Sequence, residues 1–337
     1  MTIKTLSVAI AAITGLALQA SAQMVTPAPQ PVSSQTGDLS DPLARAAALY
    51  ATYHGDVTDV KTGSFGSARD IDQSLTNLGG HNPDQLSQGW MAYSALVAAQ
   101  NPEFRAAVID IEGYYGRDMF VTGLKNDPRY ARTLSGGNQA VSSSLTAVDA
   151  DSRRLIGAAA YVKEQAYSLQ GAGWAKGKVR NSSATANGLL ASTRTGIPAR
   201  NSMVRAMASP DINTVLSKAG QSGSPSVWES VTSAASTIRV PAFTAKLAPQ
   251  TRIARGKEPI ADRITTLAAF RIIGSDPSSA QSMRVAMQDR ETAGCLNMAN
   301  LNLQQCVAAA HNHYEVPFCI GEHALSDVGK CIGTVTQ

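Results

Sequence analysis

The sequence predicts an all-α fold, a multi-helix bundle or array closed by a C-terminal disulfide-linked helical hairpin. Three observations predict it. An Asp, Asn or Ser stands directly before a proline at seven places along the chain. A seven-residue repeat runs through residues 138–170. The four cysteines all lie within the last 45 or so residues, and none forms a Cys-x-x-Cys pair.

Residues 1–22 read as a secretory signal peptide. Lys4 supplies the positive start, Leu6 to Leu18 an apolar stretch, and Ala20-Ser21-Ala22 a small-x-small cleavage site before Gln23. That stretch is too short for a comfortable membrane span, and no later run approaches its length. The expected product is periplasmic or secreted and does not span a membrane after cleavage. Residues 23–39, rich in Pro, Ser, Gln and Thr, read as a disordered linker. Of the 337 residues 44% are hydrophobic, enough for a core, but only 5% are aromatic. Alanine therefore carries much of the packing, which favours close helices over a bulky aromatic-lined pocket. The net charge of +4 is scattered rather than striped, which argues against a nucleic-acid partner. The densest basic cluster, Lys176, Lys178 and Arg180, reads as a solvated loop.

A helical domain is expected over residues 40–170. Asp41-Pro42, Asn82-Pro83, Asn101-Pro102 and Asp127-Pro128 each set a capping side chain before a proline at the first helical position. The side-chain oxygen caps a free backbone N–H, and the proline has no N–H to leave unpaired. Residues 83–100 carry Leu86, Trp90, Tyr93 and Val97 at helical spacing, and Asn101-Pro102 then forces a corner. The segment IDIEGYYGRD reads as a helix end at Gly113 and a turn at Gly116. In the long helix at 138–170 the repeat is Val141, Val148, Leu155, Val162 and Leu169. A second row, Leu145, Ser152, Ala159 and Ala166, is small or polar. That heptad seam predicts a nearly parallel-axis neighbour within the same chain.

Residues 171–208 lose the apolar period and read as a polar connection. A second helical domain is expected over 209–337. Ser209-Pro210, Ser224-Pro225 and Asp276-Pro277 repeat the capping device, and Glu258-Pro259 is a weaker case. Residues 210–219 stop at Gly220, and residues 259–273 stop at Gly274. Residues 236–244 come closest to a strand, but Pro241 demotes them.

The cysteines define the last element. Eleven residues along a helix put Cys295 and Cys306 on one face, about 20° from three full turns, with Cα atoms about 16 Å apart. A disulfide spans at most roughly 7 Å, so neither can bond the other within that helix. A turn at Tyr314 to Pro317 makes an antiparallel hairpin in which Cys306 meets Cys319 and Cys295 meets Cys331. One feature fits less well: twelve residues would put Cys331 about 120° from Cys319. Gly329 is expected to end the second helix and let Cys331 swing back.

No motif in the sequence specifies a reaction. The Gly220-Gln221-Ser222-Gly223 run misses the serine-nucleophile elbow. Residues 171–178 carry Ala172, and Val179 follows them, where a phosphate loop needs Gly and Ser or Thr. Two groups remain as ligand-site candidates. Asp110, Glu112, Tyr114, Tyr115 and Asp118 combine carboxylates with aromatics suited to a glycan. His311 and Glu315 lie one helical turn apart and His323 follows, a spacing compatible with a metal. No catalytic, cofactor or metal residue is assigned. The expected function is an exported, non-enzymatic protein that binds another protein or a cell-envelope component. Alternatives are an enzyme acting on an envelope polymer such as peptidoglycan, with Glu112 or Asp118 as acid, and a small-ligand or metal carrier.

Overall fold

Helix α1, Pro42–Thr62, starts at the first capping pair: Asp41 Oδ1 accepts from the Leu43 N–H at 2.9 Å. The computed structural model describes residues 41–209, 211–221, 227–228, 251–274 and 277–336. The segments expected as a signal peptide (1–22) and a linker (23–39), the Ser224-Pro225 pair and the 236–244 segment lie outside the described residues. All described residues fall in one unit, 35–337. They are helical with short connections and contain no strand, only the isolated bridges Lys178–Asn312 and Ile253–Thr336. None of their helices is long and apolar enough to cross a membrane.

After α2, Ala68–Gly79, the capping device recurs. Asn82 caps α3, Pro83–Ala98, and Asn101 caps α4, Pro102–Tyr115, each through a 2.9 Å bond to the third helical N–H. Helices α1 and α3 pack closely because Gly89 has no side chain: a Cβ there would lie 2.7 Å from the Ala46 carbonyl. Helix α4 runs through Gly113 and stops at Gly116, whose φ of 83° only glycine adopts readily. The expected end at Gly113 is thus corrected. A helix tolerates one glycine at about 1 kcal/mol, and the positive φ lies three residues later. Helix α5, Arg117–Asn126, follows. At Asp127-Pro128 the device produces a turn, with Asp127 Oδ1 accepting from the Arg129 N–H, and only then the four-residue α6, Tyr130–Thr133.

Helix α7, Gly137–Leu169, has 33 residues and buries both rows of its seam. Residues 171–208, expected as a polar connection, instead hold a 3₁₀ turn at Trp174–Lys176, α8 at Ser182–Thr195 and α9 at Asn201–Ala208. Their apolar residues are few but correctly spaced. Ala186, Leu189 and Thr193 bury one side of α8, and Met203 and Met207 one side of α9. Helix α10, Ile212–Ala219, comes next. Helix α11, Glu258–Ile273, stops at Gly274, where φ is 82°, and α12 spans Pro277–Ala286.

The C-terminal hairpin pairs its cysteines as the spacing requires: Cys306 with Cys319 and Cys295 with Cys331, each with Cα atoms 5.7 Å apart. Its first arm is α13, Arg290–Ala309. The second arm is one continuous rod: α14 at Glu315–Cys319, a π-helical segment at Ile320–Ser326, and α15 at Asp327–Gly333. The turn spans 310–314, slightly earlier than expected, and Pro317 sits inside the first turn of the second arm. Gly329 does not end that arm. The π segment removes the 120° misfit instead. A π turn closes to the fifth rather than the fourth residue, so it absorbs about one extra residue. Twelve residues then rotate like roughly eleven, about 20° from three full turns. Both cysteine pairs thereby share one spacing and one face.

Gly321 and Gly329 bring this second arm against α7, in antiparallel order. A Cβ on Gly321 would lie 3.1 Å from the Ala159 carbonyl, and one on Gly329 the same distance from the Ser152 carbonyl. Ser152 Oγ donates to the Gly329 carbonyl at 2.8 Å. The small row of the α7 seam meets two glycines, and this is the neighbour that the heptad repeat predicts.

Candidate functional site

Three walls make an open cleft of about 510 Å³. Helix α2 contributes Asp72, Leu75 and Thr76, helix α8 contributes Thr185, Leu189 and Ser192, and the third wall carries Lys178, Arg180 and His313. This third wall is pinned to the hairpin turn. The Val179 N–H donates to the His311 carbonyl at 2.8 Å, and the His313 N–H donates to the Gly177 carbonyl at 3.2 Å. Ser182 Oγ donates to the Ala308 carbonyl at 3.1 Å. The Cys306–Cys319 bond closes the loop to which the segment is tied. Among the described residues, Lys178, Arg180 and His313 make no ion pair, and none of the hydroxyls lining the cleft is hydrogen-bonded to His313. Two members of the basic cluster expected as a solvated loop, Lys178 and Arg180, thus line a concavity.

The second polar assembly is sealed in the core, and sequence reasoning missed it. Tyr50 and His54 of α1 lie four residues apart on a buried face and meet Asp151 of α7. Asp151 accepts from Tyr50 Oη at 3.0 Å and from Trp228 Nε1 at 2.6 Å. The Trp228 ring lies flat on His54, with centroids 4.3 Å apart. Arg154 Nη1 stands 3.0 Å from His54 Nδ1. Arginine can only donate, so Nδ1 accepts and the ring proton sits on Nε2. That Nε2 is buried without a hydrogen-bond partner, 3.8 Å from Asp151 Oδ2. Burial pushes the Asp151 carboxyl up to about 7, against the pull of Trp228, Tyr50 and Arg154. Burial, and then the Arg154 and His81 charges, hold His54 well below the ordinary imidazole range. Burial thus favours the neutral form of both groups. Nearby, Asp56 holds both His81, at 2.8 Å, and Arg200. The available signal was two polar residues, Tyr50 and His54, in the apolar register of α1. It could not reveal their partners, which lie about a hundred or more residues away.

The expected candidate residues are placed differently. Asp110 and Asp118 are exposed. Glu112 faces Arg117 at 3.4 Å. Tyr114 and Tyr115 form an exposed edge-to-face pair, centroids 4.7 Å apart. They lie along α4, its end at Gly116 and the start of α5. Glu315 Oε2 accepts from the His311 backbone N–H at 2.6 Å, and His323 Nδ1 pairs with Asp327 at 2.8 Å. Among the described residues no three His, Cys, Asp or Glu side chains gather as a group that could hold a metal, so His311, Glu315 and His323 are not brought together.

The fold and the cleft define an all-α, doubly disulfide-bonded protein of an oxidising compartment, where such bonds form and persist. Compared with known proteins, the chain matches no family model, no curated protein and no solved structure.

Proposed function

We propose that the chain is an exported, non-enzymatic helical protein that holds a cell-envelope component in the cleft between α2, α8 and the 178–180 segment. One observation carries this reading: three basic side chains without acidic partners line a concave space, and a disulfide-closed loop fixes their wall. The reading of residues 1–22 as a signal peptide and the two disulfides support export to a periplasm or to the outside. The core assembly has the groups for proton transfer, but Trp228 covers His54 and both are fully buried, which favours binding over catalysis. The envelope-polymer enzyme reading has less support, since Asp118 is exposed and Glu112 pairs with Arg117.

The test replaces Ser192, on the cleft wall, with a photo-crosslinking residue in the native host. Irradiation of the exported fraction should yield a discrete adduct whose protein portion begins at Gln23. A chain that stays unprocessed, or one that gives no adduct from the cleft while a control on the far face does, overturns the reading.

A further inference from the structure

We propose that the cleft takes a small organic anion, a single carboxylate or phosphate on a short apolar stem; this rests on the binding reading above and names its ligand class. The charge argument comes first. Several cations elsewhere in this protein are answered by carboxylates: Arg132 by Asp262, Lys163 by Glu322, Arg271 by Asp41 and Lys257 by Glu291. Lys178 and Arg180 are not. They sit two apart on a segment whose first residue bridges Asn312, and both line the same cleft. His313 joins them from the hairpin turn that this segment is bonded to. A concave wall of one sign focuses the field and concentrates an oppositely charged ligand. Asp72 on the α2 wall offsets one of the two fixed positive charges, which favours a ligand with a single anionic group over a polyanion.

Size and lining set the rest of the ligand. About 510 Å³ lies within the usual range for small-molecule sites, roughly 300–1,000 Å³. Leu75 and Leu189 are buried side chains on the floor, suited to an apolar stem. Thr185 stands in the first turn of α8, a helix of 14 residues, where the backbone dipole adds a partial positive charge toward the anionic head. The left-handed Asn181, φ 56°, and the bond from Ser182 to Ala308 turn that helix start toward the basic wall.

The experiment titrates the purified mature chain with benzoate, phenyl phosphate and the neutral isostere benzyl alcohol, reading backbone amide shifts by NMR. Benzoate or phenyl phosphate should move the amides of residues 178–180, 185–192 and 313, and whichever binds more tightly identifies the preferred head group. The Lys178→Gln/Arg180→Gln double variant should weaken that binding about tenfold or more, in line with loss of charge-assisted hydrogen bonds, with thermal unfolding unchanged. The Cys306→Ser/Cys319→Ser variant should weaken it too, because the basic wall loses its anchor. If benzyl alcohol moves the same amides as strongly, or if the double variant binds the anions undiminished, the ligand class is wrong and the binding reading stands. If no probe moves the cleft amides, the ligand class falls, and the crosslinking result then decides the binding reading separately.

Discussion

This chain concentrates its polar chemistry in two regions that differ in one respect. In the core, Tyr50, His54, Asp151 and Trp228 are removed from water, so their groups answer one another and lose their charge. At the cleft, Lys178 and Arg180 stay exposed and, among the described residues, make no ion pair. Burial costs an unpaired charge several kcal/mol and neutralises it, whereas exposure leaves a charge available to a ligand. Unusual side-chain chemistry therefore marks stability in the first region and, on the function proposed above, binding in the second.

The largest expected effect lies in the core. Trp228→Ala should destabilise the protein by about 3–5 kcal/mol in urea unfolding, since it empties a fully buried site and strips Asp151 of a donor. A change below about 1 kcal/mol would mean that the ring is not packed in the core. Next, the Cys306→Ser/Cys319→Ser variant should cost about 2–4 kcal/mol. Its loss of anion binding should exceed what partial unfolding explains.

Titration sharpens the comparison further. Asp151 is raised in the folded state, so its contribution is present below the unfolded value of about 4 and is lost as pH rises to about 7. His54 is lowered, so its contribution is present above about 6.5 and is lost as pH falls. Where both groups are neutral in the folded state the two slopes oppose, which flattens the pair's effect on the native protein's stability. Asp151→Asn should expose the His54 slope, with stability rising with pH by up to about 1.4 kcal/mol per unit. His54→Gln should expose the opposite slope. Parallel slopes in the two variants would break the account of a jointly neutral pair. The smallest effect belongs to the cleft: Lys178→Gln/Arg180→Gln should change stability by less than about 0.5 kcal/mol, as exposed substitutions do.

Much of the fold was legible because its signals are local. Asp41, Asn82 and Asn101 cap helices through bonds two or three residues long. The cysteine spacing specifies its own pairing once the arms are helical. The π segment was not legible: no residue type in Ile320–Ser326 demands it, and its purpose appears only when both disulfides and the α7 contact must be met at once. The α8 and α9 helices were missed for a related reason. With only two or three buried side chains each, they are stabilised by the surfaces they pack on rather than by their own pattern.

The candidate sites were less legible. Asp110 to Asp118 gathered attention through closeness in sequence, which says nothing of facing geometry. His54 and Asp151 are 97 residues apart, and Lys178 and His313 are 135 apart, so no window of sequence contains either pair. By itself the sequence determined the helical class, the caps at Asp41, Asn82 and Asn101, the stop at Gly274, the length of α7 and the disulfide pairing, because each depends on bonds or rotations counted over a few residues. Only the tertiary structure decided which buried polar groups lose their charge, how a π turn brings Cys331 onto Cys295, and that two apparently solvated cations share a cleft with His313. Those outcomes depend on which distant surfaces meet, and burial is a property of the assembled chain.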